Sequence, residues 1–250
     1  IYWSVLMLDS LQKNRVDLAA AFRWAVRLNY HEGVANHFSV AINNSGSQFL
    51  INPNQRHFAT IKASDLLLLD ANNQDTMSQA NAPDPTAWGL HGAVHKHCPH
   101  ARCVLHVHSI FSTVLACLKD SRLPAIDQNT AQFYNRVVVD AGFDGMAFVD
   151  EGERCAAMLS DPHKKVMLMG NHGVMVLGLS VADAFNRLFY FERSAETYIR
   201  ALQTGRALNF LSNEVAEKTA QQWEGFDGSA NAHFNELKSI LDKEESDYKC

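Results

Sequence analysis

Three runs, "ARCVLHV" (101–107), "KVMLMG" (165–170) and "GVMVLG" (173–178), are apolar almost without a break. A strand with one wet face alternates polar and apolar residues, whereas a strand buried on both faces does not. These runs therefore read as buried strands that need helices over both faces of their sheet. At 250 residues and 47% hydrophobic, the chain is long enough to supply that cover within one substantial core.

The remaining elements fit the demand. "NHFSVAI" (36–42) and "SQFLINP" (47–53) flank "NNSG", a hairpin signal, and "DLLLLD" (65–70) and "RVVV" (136–139) add further strands. Apolar residues recur at helical spacing from Ser10 to Tyr30, with Ser10 placed to cap. Asp84 as cap with Pro85 in the first position starts a second helix. "SIFSTVLACL" reads as a third, and a long one runs from Ser180 to Gly205, ending in a glycine. The tail from Asn209 onward is helical and more polar. First strands joined by a hairpin rather than a crossover favour a mixed sheet covered by helices on both faces.

A formal charge of −5 without charge blocks gives no electrostatic reason to expect nucleic acid or a membrane surface as a partner. Five cysteines, none in a C-x-x-C pair, point to a reducing cytoplasm. The opening "IYWSVLML" is too short for a membrane span and lacks the basic flank of a signal peptide, and a start at Ile1 leaves room for a longer native N-terminus. No G-x-G-x-x-G after a strand and no Walker loop occurs, so neither NAD nor a nucleotide is implied.

The twelve histidines carry the chemistry. His31, His57, His163 and His233 read as surface or packing residues. His91 and His95, four apart, share a helix face, but Gly92 stands where a metalloprotease needs glutamate. His106 and His108, in "CVLHVHS", are two apart on a strand and point to the same side, so both imidazoles can converge at the strand's end. A catalytic zinc usually takes three protein ligands, and His172, between Gly170 and Gly173 in "GNHGV", is the obvious third. Spacing alone leaves two readings open: a metal site, or three satisfied strand-end histidines.

H-x-H at a strand end, followed far downstream by "NHG" between two strands, resembles the class II aldolase/adducin family. The match extends through "ANHFSVAI", "ASDLLLLD", the helix carrying His91, "HGVMVLGLSVADAF" and "FERSAE", in order over most of the chain. The resemblance implies a three-layer α/β/α sandwich around a mixed, largely antiparallel sheet, spanning residues 1–208, with 209–250 as a helical extension packed on it. It implies a divalent ion, zinc or alternatively manganese, on His106, His108 and His172, and a homo-oligomer, usually a tetramer with sites at subunit interfaces. A small-molecule substrate would bind near Asn36 and Ser39 in the family's N-x-S stretch.

Departures from the pattern matter as much. Sugar-phosphate aldolases of the family carry P-S-S-E-W before the helix histidine; here "DPTAW" puts Asp84 on the proline, Pro85 and Thr86 on the phosphate-holding serines, and Ala87 on the general base. The phosphate turn T-P-x-G becomes "NPNQRHF", and the family's tyrosine is replaced around Asp127 and Gln128. Phosphosugar cleavage is therefore disfavoured. Decarboxylation of a keto or hydroxy-aromatic acid, which needs no prior proton abstraction, tolerates these losses better. Arg56 or Arg136 would take over a substrate carboxylate. Tyr134, ahead of Asp84 and Glu151, is the candidate proton donor, and Glu192 would orient a ligand histidine. The expected activity is a metal-dependent carbon–carbon lyase acting through an enolate; the competing expectation is a non-catalytic, adducin-like scaffold.

Overall fold

The computed structural model describes every residue except Ile1, residues 146–148 and Asp227, so the first residue of "IYWSVLML" lies outside the described residues. The chain runs through α1 (Tyr2–Arg27), β1 (His37–Ala41), β2 (Gln48–Ile51), β3 (Leu67–Asp70), α2 (Pro85–His97), β4 (Cys103–Val107) and α3 (Ile110–Ala116). It continues through α4 (Gln128–Ala131), β5 (Val137–Asp140), α5 (Val149–Met158), β6 (Val166–Met169), β7 (Gly173–Gly178), α6 (Val181–Gln203), α7 (Asn213–Glu224) and α8 (Ser229–Glu244).

The strands form one sheet in the order β3-β2-β1-β4-β7-β6-β5. Neighbours are antiparallel except β5 and β6, which run parallel. The apolar runs that needed double cover are the central strands. Along β4, Leu105 and Val107 pack with Phe22 of α1 and Phe185 and Phe191 of α6, while Val104 joins Leu90 and Val94 of α2 and Leu159 beyond α5. Alternation on a strand sends neighbours to opposite faces, so each face carries its own helix layer and the three-layer α/β/α sandwich follows. Phe22 stacks on Phe38 at 4.8 Å between ring centroids and meets Phe58 edge-on at 4.5 Å. Each such fully buried ring contributes about 1.5–3 kcal/mol relative to exposure. Phe234 and Leu241 of α8, with Tyr248, join the same core as α1 and α6.

Two expectations change. Ser10 does not cap α1, because the helix already begins at Tyr2 and Ser10 lies inside it. The short helices α4 and α5 were not foreseen. α5 reads "VDEGERCAAM", which has four charged residues among its first six and few large apolar side chains. The hairpin turn is tight for a stated reason: Gly46 has φ +72, and a Cβ there would stand 2.0 Å from the His95 carbonyl oxygen.

Candidate metal centre

Antiparallel pairing of β4 with β7 sets Val107 opposite Val174, so the end of one strand lies beside the start of the other. His108 follows β4 and His172 precedes β7, which brings them together across 64 residues of sequence. Asn171, at φ +56, turns the chain just before His172. Gly173 then permits the close approach, since a Cβ there would meet the Val107 carbonyl oxygen at 2.6 Å and the His108 ring at 2.7 Å.

The Nε2 atoms of His106, His108 and His172 form a near-equilateral triangle with sides of 3.1, 3.2 and 3.2 Å. With Zn–N bonds of about 2.05 Å, such sides correspond to N–Zn–N angles of about 100°, close to tetrahedral with one position open. The opposite ring nitrogens fix the tautomers: His106 Nδ1 donates to the Val174 carbonyl at 3.1 Å, and His108 Nδ1 is bound by the Glu32 carboxylate. His106 and His108 thus turn bare Nε2 lone pairs toward each other and toward Nε2 of His172. The His106 and His108 lone pairs repel each other, and a cation at the centre satisfies all three nitrogens. Burial and the neighbouring His37 hold His106 well below the usual imidazole range, and burial pushes His172 down to about 4, so both are neutral and ready to ligate. This triad could hold a divalent metal ion.

Beneath the triad lies a second histidine cluster. His37, paired with His106 in the β1–β4 register, has its Nδ1 2.7 Å from Nε2 of His91. His91 Nδ1 is 2.5 Å from Ser39 Oγ, which is 2.6 Å from His95 Nε2, and His95 Nδ1 donates to the Ala101 carbonyl at 2.8 Å. Burial pushes His37 down to about 3 and His95 to about 4, and it holds His91 well below the usual range. His91 is fully buried and packs below the pocket rather than lining it.

A cavity of about 280 Å³ opens beside the triad, and Asn36, Asp84 and Thr86 line it together with His106, His108 and His172. The Asp84 carboxylate caps α2, accepting from the Thr86 and Ala87 amides at 2.9 and 3.3 Å. Ala87 is a packing residue, buried with Phe49, Ile51 and Leu69. Ser39 belongs to the buried cluster instead of the cavity wall.

Other expected residues are not brought to the triad. Tyr134 lines a separate cavity with Tyr198 and Phe210, and Gln128 sits beside Trp223. Arg56 leans to Asp65 at 3.8 Å, and Arg136 is buried between Glu217 and Glu224 at 2.6 and 2.9 Å. Glu151 is bound to Arg154. Glu192 touches no imidazole: it is buried and accepts from Ser109 Oγ at 2.7 Å, from the Phe111 and Ser112 amides at 2.7 and 2.9 Å, and from Ser112 Oγ at 2.5 Å. It thereby latches the residue after His108 and the start of α3 onto α6. Glu32, His37, Asn52, Asn54 and Gln55 are site residues that sequence reasoning missed. For His37 a signal existed, because it stands two before Ser39 and so on the same strand face.

Together, fold and triad define an α/β/α protein with a candidate metal site at the ends of a central antiparallel strand pair. The chain belongs to the Class II Aldolase and Adducin N-terminal domain family, which matches residues 16–199. An aldolase II superfamily protein from Pseudomonas syringae has a similar structure, with a TM-score of 0.84 at 30% identity over 96% of each chain. L-fuculose 1-phosphate aldolase from Glaciozyma antarctica PI12 reaches 0.78 at 20% identity, covering 93% of this chain and 91% of its own, a likeness of fold. The meiotically up-regulated gene 14 protein of Schizosaccharomyces pombe is 32% identical over 180 residues, 72% of this chain and 69% of its own. The decarboxylase NovR of Streptomyces niveus is 27% identical over 206 residues, 82% and 75% of the two chains. Among the described residues, no helix is long and apolar enough to cross a membrane.

Proposed function

We propose that this protein is a divalent-metal-dependent carbon–carbon lyase acting on a small hydroxy or keto acid or a related carbonyl compound. The observation that carries the reading is the convergence of three Nε2 atoms within 3.2 Å of one another, with the tautomers of His106 and His108 held from behind. Zinc suits three neutral imidazoles and an open position, with manganese as the alternative. Bound there, the ion would supply Lewis acidity, worth several kcal/mol of transition-state charge stabilisation at a substrate oxygen as the C–C bond breaks.

The chain's own residues favour decarboxylation over phosphosugar cleavage. Ala87 cannot move a proton, and it is packed among Phe49, Ile51 and Leu69. Asp84 accepts three hydrogen bonds on Oδ1, from the Thr86 and Ala87 amides and the Thr86 hydroxyl, so that oxygen is committed to the helix cap. Loss of carbon dioxide needs no prior proton abstraction, and a relative named as a decarboxylase supports that direction. Cytoplasmic residence agrees with five free thiols.

The full chain should carry one zinc or manganese ion, and His106→Ala should abolish it. Incubating the metal-loaded protein with panels of sugar phosphates and of keto or aromatic acids, while monitoring aldehyde and carbon dioxide, separates the two lyase types. A metal-free protein whose stability is unchanged by His106→Ala would leave an adducin-like scaffold as the better account.

A further inference from the structure

The buried cluster under the triad fixes every proton it holds. The Ala101 carbonyl can only accept, so His95 Nδ1 carries its hydrogen and His95 Nε2 is bare. Ser39 must then donate its single hydrogen to His95 Nε2, which leaves Ser39 Oγ to accept from His91 Nδ1. His91 Nε2 is therefore bare and takes the hydrogen of His37 Nδ1. The chain ends at His37, which lines the cavity and whose Nε2 makes no hydrogen bond among the described residues. That nitrogen is a fixed acceptor beside the triad.

Its neighbour supplies the complementary group. Asn36 lines the same cavity, is only 4% exposed, and its amide Nδ2 is a buried donor without a partner among the described residues. A hydroxyl is the small group that donates to one and accepts from the other.

The rest of the lining is unsuited to an anion. Asn52, Asn54 and Gln55 contribute neutral amides, and no lysine or arginine lines the cavity among the described residues. A helix N-terminus is a ready anion cradle, but the N-terminal amides of α2 are already taken by the chain's own Asp84 carboxylate, at 2.9 and 3.3 Å. A phosphate entering here meets a fixed negative charge and finds its donors occupied.

We propose that the cavity beside the triad receives an uncharged, hydroxyl-bearing tail of the substrate, held by His37 Nε2 and the Asn36 amide, and rejects a phosphorylated one. The proposal rests on the lyase reading above and names the substrate class that this reading left open.

The test uses the full chain loaded with cobalt(II), whose visible spectrum reports ligands at the ion. Lactate, glycerate and 3-phosphoglycerate offer the same carboxylate–hydroxyl chelate and differ only at the third carbon, which bears hydrogen, hydroxyl or phosphate. Glycerate should bind about tenfold more tightly than lactate, the scale of one well-made hydrogen bond. It should also bind at least about tenfold more tightly than 3-phosphoglycerate, the scale of one unfavourable charge contact. Asp84→Asn, which keeps the capping oxygen and removes the charge, should strengthen 3-phosphoglycerate binding more than it strengthens glycerate binding. His37→Phe should erase the preference of glycerate over lactate; if that variant fails to fold, the wild-type series and Asp84→Asn still decide. Binding of 3-phosphoglycerate as tight as glycerate, or of lactate as tight as glycerate, overturns the proposal while leaving the metal reading intact. Failure to bind cobalt at all overturns the metal reading, and the proposal falls with it.

Discussion

Two histidine clusters lie one above the other in this molecule, and they are built on opposite logic. In the upper one, His106, His108 and His172 aim three Nε2 atoms at one point, two of them with their hydrogens held on the far side of the ring. In the lower one, His37, His91, Ser39 and His95 alternate donor and acceptor down to a backbone carbonyl. Within the lower cluster every ring nitrogen is paired except His37 Nε2, which faces the cavity; the upper one is complete only around a cation. The difference shows that a count of nearby imidazoles does not distinguish a metal site from a satisfied polar core, whereas the direction of each ring's hydrogen does.

Mutations should break the two clusters differently. His91→Leu strands the His37 donor and the Ser39 oxygen in a buried setting, and should cost about 2–4 kcal/mol of stability. Metal content should stay at one ion per chain. Urea unfolding and metal analysis of the same sample check both halves, and a stable variant that has lost its metal would reverse the assignment of the clusters. Glu32→Gln acts on the upper cluster instead. Glu32 holds His108 from behind, so removing its charge should weaken metal affinity about 10- to 100-fold with little effect on folding. Competition against a chelator reads this out, and an unchanged affinity would remove Glu32 from the site.

Acidification sharpens the contrast further. In the unfolded chain a histidine titrates near 6.5, whereas folding pushes His95 down to about 4 and His91 also falls. Between those values the unfolded state binds more protons. Stability of the metal-free protein should therefore fall as the pH drops through that window, by about 1.4 kcal/mol per pH unit for each buried histidine. Unfolding curves at pH 7 and pH 5 test it, and a flat response would mean the lower cluster is hydrated.

The sequence disclosed the two clusters unequally. The sheet was legible because β4, β6 and β7 are continuous apolar runs, and the triad because an i, i+2 pair and a glycine-flanked turn need only local rules. His37 was missed because its place depends on β1 pairing beside β4, a register invisible in either segment alone. Glu32 was missed because the segment after α1 must fold back over His108 across 76 residues. Within one chain Tyr134 and Gln128 line pockets apart from the triad, and the family resemblance assigns the Gln128 position to the site of a neighbouring subunit. Arg136 looked free for a substrate because its partners, Glu217 and Glu224, come from α7, 81 and 88 residues away.

Gly173 ties the site to the sheet more closely than any hydrogen bond does. Its missing side chain lets β7 start against the Val107 carbonyl and the His108 ring. The spacing of the two central strands and the spacing of two candidate ligands are thus a single mechanical variable. Repacking that widens the β4–β7 seam also pulls the triad open, so drift in this part of the core is never silent at the candidate metal centre.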